Sequence, residues 1–318
     1  DYLLKPFSQD QFRDALAAAQ AALTSPRSAE AAKDKPRMMV AVIGTRGGAG
    51  ASTIAGSLAW SFGEIAQRST ALLDLDVHFG TGALALDLEP GRGLTDAIEN
   101  PSRIDGLFIE RAMVRASDRL AVLSAEAPIN SPIMSDGAAF YQLQEEMRSA
   151  FECTVVDLPR SMLVQYPHLI ADVQVAIVAT ELTLAAARDS IRILSWLKSN
   201  APHVQVITVA NRVPAGGALE ISRKDFEGSI ERKIDFIVPY DQKLAAQAAK
   251  LGKTMAEAGK GSKTVAPIAA LAERAMGAGE AAEEAEAEAA GNAKKKPKGG
   301  SLMSKFDLKS IMPKRAAK

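Results

Sequence analysis

The residues best suited to chemistry form one short run, Thr45-Arg46-Gly47-Gly48-Ala49-Gly50-Ala51-Ser52-Thr53. Glycines at 47, 48 and 50 let the backbone turn so that successive N–H groups point at one anion, and a helix opening behind them adds its positive end. Ser52 supplies a hydroxyl of the kind that ligates Mg²⁺, with Thr53 beside it. In the usual phosphate-binding pattern, G-x-x-x-x-G-K-S/T, a lysine reaches the β- and γ-phosphates; here Thr45 stands at the first glycine and Ala51 at the lysine. Losing one charge-assisted contact costs on the order of 1.5–3 kcal/mol, roughly ten- to over a hundredfold in affinity, which the backbone cradle and Mg²⁺ contacts can survive. Hydrolysis needs added charge stabilisation in the transition state and suffers more directly.

Two acidic signals follow the loop. In Leu73-Asp74-Leu75-Asp76-Val77-His78-Phe79-Gly80 two carboxylates stand one residue apart at the end of an apolar run, about 25 residues after the loop. Strict alternation sends them to opposite faces unless the chain turns there. Thr154-Val155-Val156-Asp157-Leu158 is an apolar run ending in an acid, the form of a site that holds Mg²⁺ through water. Loop, paired acids and strand-end acid, in this order, point to a bound nucleotide with Mg²⁺.

The elements that must position these groups are short β-rich runs at 38–44, 70–75, 119–124, 152–158, 173–180, 204–210 and 234–238, separated by longer helical stretches. That alternation predicts an α/β fold, a mostly parallel sheet of about seven strands with helices on both faces, and places a ligand at the carboxyl ends of the strands. With 318 residues and 47% hydrophobic side chains the chain has material for one large core and smaller appendages. No run of 18 apolar residues offers a membrane span. The lone Cys153 is expected to be a buried packing residue, and His78, His168 and His203 show no ligand spacing, so no zinc site is expected.

Charge is segregated: after Gly291 nine Lys/Arg accompany one acid, Asp307, and the formal total is zero, so that segment carries +8 and the remainder −8. An acidic body argues against nonspecific nucleic-acid binding. Residues 1–23 read as a strand end and a short amphipathic helix, 24–37 as a linker, 38–275 as the main domain, and 276–318 as a disordered Ala/Glu stretch followed by a basic tail, because that composition cannot bury a core. The tail mixes Lys294 to Lys298 with Leu302, Phe306 and Ile311 but offers no single apolar face, which predicts weak, salt-sensitive contact with an anionic membrane or a partner.

Residues 38–275 resemble the ParA/MinD family of P-loop NTPases, whose deviant loop K-G-G-x-G-K-S/T is matched by Arg46-Gly47-Gly48-Ala49-Gly50-Ala51-Ser52. The likeness is to the CpaE/TadZ branch, which serves assembly of Tad (Flp) pili and where the Asp-rich strand continues into Phe-Gly, as at Phe79-Gly80. The resemblance implies ATP and Mg²⁺ as ligands and a homodimer. It implies that Asp76 orients the attacking water with Asp74 as its neighbour, that Asp157 and Ser52 serve the metal, and that Arg46 reaches the partner's nucleotide. It further implies that Asn211 selects adenine and that Pro239, Tyr240 and Asp241 pack on the base. Asp1 to Phe7 resemble the last strand of a response-regulator receiver domain, which suits the same branch. The implied function is that of a cytoplasmic localisation or scaffold factor for the pilus assembly machinery, at the inner membrane face or a cell pole, with weak or no ATP hydrolysis. The alternatives are an active ATPase cycling on membrane or DNA and a nucleotide-free pseudo-ATPase adaptor.

Overall fold

The structure, a computed structural model, describes residues 37–130, 137–216 and 219–294, with side chains as far as residue 282. The receiver-like segment at 1–23, most of the linker and the basic tail beyond Lys294 lie outside the described residues. Among the described residues eight strands form one sheet: β1 (Met38–Gly44), β2 (Thr70–Asp74), β3 (Val114–Arg115), β4 (Leu120–Leu123), β5 (Cys153–Asp157), β6 (Val175–Thr180), β7 (Gln205–Val213) and β8 (Phe236–Pro239). Their order across the sheet is β3-β4-β2-β5-β1-β6-β7-β8. All seven strands expected from sequence are present and mutually parallel. The addition is β3, a two-residue antiparallel edge on β4, too short for any periodicity to register.

Successive side chains of β1 enter opposite cores, which is why the strand reads as a continuous apolar run rather than an alternating one. Met39, Ala41 and Ile43 join one cluster with α2 (Gly93–Glu99), α3 (Gly106–Ala112), α4 (Ala138–Ala150) and α5 (Arg160–Gln165). Met38, Val40 and Val42 join the other, with α1 (Ala51–Trp60). A third cluster, under α6 (Leu184–Asn200) and α7 (Arg223–Ser229), is centred on Phe226. Cys153 is fully buried in the second cluster, and burial pushes its thiol up to about 12, as suits a packing residue.

After β8 come α8 (Gln242–Leu251), α9 (Met255–Ala258) and a long α10 (Ala266–Lys294). The packed body extends past residue 275: Met276 and Ala278 lie against the second cluster, and Glu280 pairs with the buried Arg68 at 3.0 Å. The Ala/Glu stretch is helical as far as Lys294, since Ala and Glu are strong helix formers even where their composition offers little to bury. The chain divides into a compact unit ending at Glu283 and a second unit from Glu284. Of the second unit, 284–294 are described, as helical backbone. Among the described residues no helix is long and apolar enough to cross a membrane.

Candidate functional site

β1 lies at the middle of the sheet, flanked by β5 and β6, and the chain leaves its carboxyl end directly into the glycine-rich loop. Thr45 anchors the loop, its amide donating to the Ala179 carbonyl at 2.9 Å and its hydroxyl to Thr180 Oγ1 at 3.1 Å. Gly48 and Gly50 hold φ of 87° and 83°, the left-handed conformation that only glycine adopts freely. Gly50 is the N-cap of α1 and provides no side-chain cap, so the first amides of that helix remain available to an anion. Ser52 and Thr53 are exposed on this turn.

Strand register brings the acids to the same edge. Asp74 is the direct cross-strand partner of Asp157 between β2 and β5, and both are almost fully buried. Burial, with the Asp74 charge adding to it, pushes the Asp157 carboxyl up to about 7, while a hydrogen bond from Ser52 opposes the shift. Asp74 is likewise raised by burial, against the hydrogen bonds it accepts from Gly82 and Asp76 amides. Two adjacent buried carboxylates, one of them bonded by the Ser52 hydroxyl, form an oxygen-rich, electronegative setting that a divalent cation would neutralise. Among the described residues no three His, Cys, Asp or Glu side chains stand close enough to hold a metal ion by themselves; Mg²⁺ at such sites takes one or two protein oxygens together with phosphate and water.

A cavity of about 540 Å³ is lined by Arg46, Gly47, Gly48, Gly50, Ala51, Ser52, Thr53, Asp76 and Asp157. The chain does turn after β2, as the paired acids required. Asp76 faces this cavity, whereas Asp74 does not line it. Asp74 Oδ1 accepts from the Asp76 amide at 3.0 Å and Oδ2 from the Gly82 amide at 2.8 Å, so it fixes the turn that carries Asp76. Ala49 is buried behind the loop, its carbonyl accepting from Asn211 Nδ2 at 2.9 Å.

A second cavity, about 640 Å³, shares Ser52, Thr53 and Arg212 with the first and adds Asn211, Pro239, Tyr240 and Asp241. The structure thus gathers the expected base-side residues next to the loop. Asn211 spends one amide hydrogen on the loop, and Asp241 caps α8, accepting from the Leu244 amide at 2.9 Å and the Thr264 hydroxyl at 3.0 Å.

Arg46 reaches across to Asp189 on α6 at 2.9 Å. Arg160 and Arg192 also approach Asp189, at 3.6 and 3.9 Å, and Arg160 donates to the Thr45 carbonyl. Sequence spacing assigned no role to Arg160, Asp189 or Arg212, because only the fold brings them to the loop. The one local signal is that Arg160 and Arg212 each follow a strand-end site residue closely.

Neither a protein-family model nor a curated protein matches the chain. Solved structures do. A ParA family ATPase from Chlorobium tepidum TLS superposes with a TM-score of 0.68 at 17% identity, over 75% of this chain and 98% of that one. The septum site-determining protein MinD from Pyrococcus horikoshii OT3, complexed with Mg-ADP, gives 0.56 at 18% identity over 75% and 95%. An aspartate-to-alanine variant of McdA from Cyanothece, in complex with ATP, gives 0.55 at 14% identity over 76% and 97%. With the eight-stranded, mostly parallel sheet and the loop at the end of β1, these superpositions show that the chain has the α/β P-loop NTPase fold of the ParA and MinD ATPases.

Proposed function

We propose that this chain binds Mg-ATP in the joined cavities and acts as a dimerising ParA/MinD-like scaffold or localisation factor in Tad (Flp) type pilus assembly, with weak or no hydrolysis. The observation that carries the reading is the convergence of the glycine-rich loop, Ser52, Asp76 and Asp157 on one cavity in a chain that has alanine where the phosphate-binding lysine belongs. Mg-ADP and ATP are bound by two of the proteins that share the fold. The pilus assignment draws on the loop pattern and the Asp-rich turn continuing into Phe79-Gly80.

Each residue has its share of the work. Amides of 47–53 would hold phosphate oxygens, Ser52 and, through water, Asp157 would hold Mg²⁺, and Asn211 with 239–241 would shape the base side. Mg²⁺, when bound, would offset the negative charge of the phosphates and of Asp157. Asp76, which lines the cavity on a turn held by Asp74, would orient a water against the terminal phosphate. What the loop lacks is the lysine charge on the transition state, so the site favours binding over turnover.

Titrating Mg-ATP against the wild type and Gly50→Val tests the binding site. A side chain at 50 would place its Cβ 2.3 Å from Asn211 Nδ2 on a backbone with φ of 83°, so binding should be lost. Ser52→Ala, which leaves that packing alone, should cut the Mg²⁺ dependence. Wild-type affinity retained in both variants contradicts the assignment.

A further inference from the structure

The phosphate cavity has a cation that its loop sequence does not supply. Arg212 follows Asn211 where pairing between β7 and β8 is interrupted between Ala210 and Val213. Its φ is 54°, a left-handed conformation that an arginine adopts only when its surroundings impose it, and such irregularities re-aim side chains near sites. Arg212 lines both cavities. Its Nε lies 3.9 Å from the point where a Cβ on Gly50 would stand, one residue before Ala51.

The other two cations lining the first cavity, Arg46 and Arg160, have closer partners than Arg212 does. Arg46 holds Asp189 at 2.9 Å, and Arg160 is shared between Asp189 and the Thr45 carbonyl. Arg212 makes a long ion pair, 3.8 Å to Glu181, and is half-exposed, as Arg46 and Arg160 are.

We propose that Arg212 is a phosphate-binding residue, supplying in cis, from the end of β7, the positive charge that Ala51 does not. The inference rests on Mg-ATP occupying the cavities. A guanidinium suits the task, since its planar fork grips two phosphate oxygens at once, where a lysine offers a point charge. It also approaches from the side of the loop rather than from within it. The result is a nucleotide held by a substitute cation placed differently from the lysine, which fits a site that binds more than it turns over.

The test is a set of titrations with Mg-ATP and with adenosine, which has no phosphate. Asparagine tolerates the left-handed backbone, so Arg212→Asn removes the charge without new strain. It should weaken ATP binding roughly ten- to hundredfold and leave adenosine unchanged. Arg212→Lys should retain most of the affinity, and Ala51→Lys combined with Arg212→Asn should recover it. No ATP binding by the wild type sinks the nucleotide site and this inference together. Wild-type binding with Arg212→Asn equally tight overturns the inference alone, as does an equal loss for ATP and adenosine, or no recovery in the double variant.

Discussion

At the residue scale, the site depends on a few side chains whose neighbours set their roles. Asp74 illustrates this: sequence made it the neighbour of a catalytic acid, and the structure makes it the residue that holds the turn on which Asp76 is carried. Gly80 is the consequence, because a Cβ there would fall 2.5 Å from the Asp76 carbonyl and 2.7 Å from Asp74 Oδ2. Gly80→Ala should therefore destabilise the protein by about 1–3 kcal/mol, in the manner of overpacking, and weaken Mg-ATP binding as Asp76 shifts. Urea midpoints and nucleotide titration of the two proteins check this, and an unchanged variant contradicts it. The loop, Ser52 and Asp157 were legible in the sequence because their spacing is local and their types narrow the chemistry. Arg160, Asp189 and Arg212 were not, since they come from three separate elements that meet only in the folded sheet.

At the element scale, the strands were readable because a sheet covered on both faces demands unbroken apolar runs. The extent of α10 was not, because its Ala/Glu composition signals little burial while its propensity favours helix. Arg68 shows what that helix adds, pairing with Glu280 at 3.0 Å and lying 3.7 Å from Glu152 next to β5. The turn between α7 and β8 is held by Glu227. Hydrogen bonds from Lys233, the Ile234 amide and Arg223 pull its carboxyl down from 4.5 to about 2. A folded pKa below the unfolded one means that this contribution is complete above about pH 4.5 and is lost as pH falls toward 2. Glu227→Gln should lower the melting temperature at neutral pH. The gap to wild type should narrow as acid is added through that window; a gap constant with pH would show that the carboxylate is not what holds the turn.

At the scale of the whole molecule, the proposed dimer turns on how two copies would meet. The loop arginine was expected to cross to a partner's nucleotide, and here it is paired with Asp189 of its own chain at 2.9 Å. An exposed pair of this kind is worth little, about 0–1 kcal/mol, so the crossing requires no large rearrangement. Sedimentation should show Mg-ATP shifting the wild type toward a dimer and Arg46→Ala weakening that shift several-fold. A distribution unmoved by nucleotide and by the substitution would leave Arg46 as an intramolecular residue. Sequence made the dimer an expectation through resemblance alone, for a surface meant to meet a second copy has no periodicity that marks it.

In the proposed function this site binds Mg-ATP and turns it over slowly because position 51 carries no charge. Phosphate release at saturating Mg-ATP, measured side by side for the wild type and Ala51→Lys, tests it most directly. Both proteins should bind saturably, Ala51→Lys more tightly, with release near background in the wild type and faster in the variant. A wild type that hydrolyses ATP as fast as Ala51→Lys, or that binds none, would contradict it.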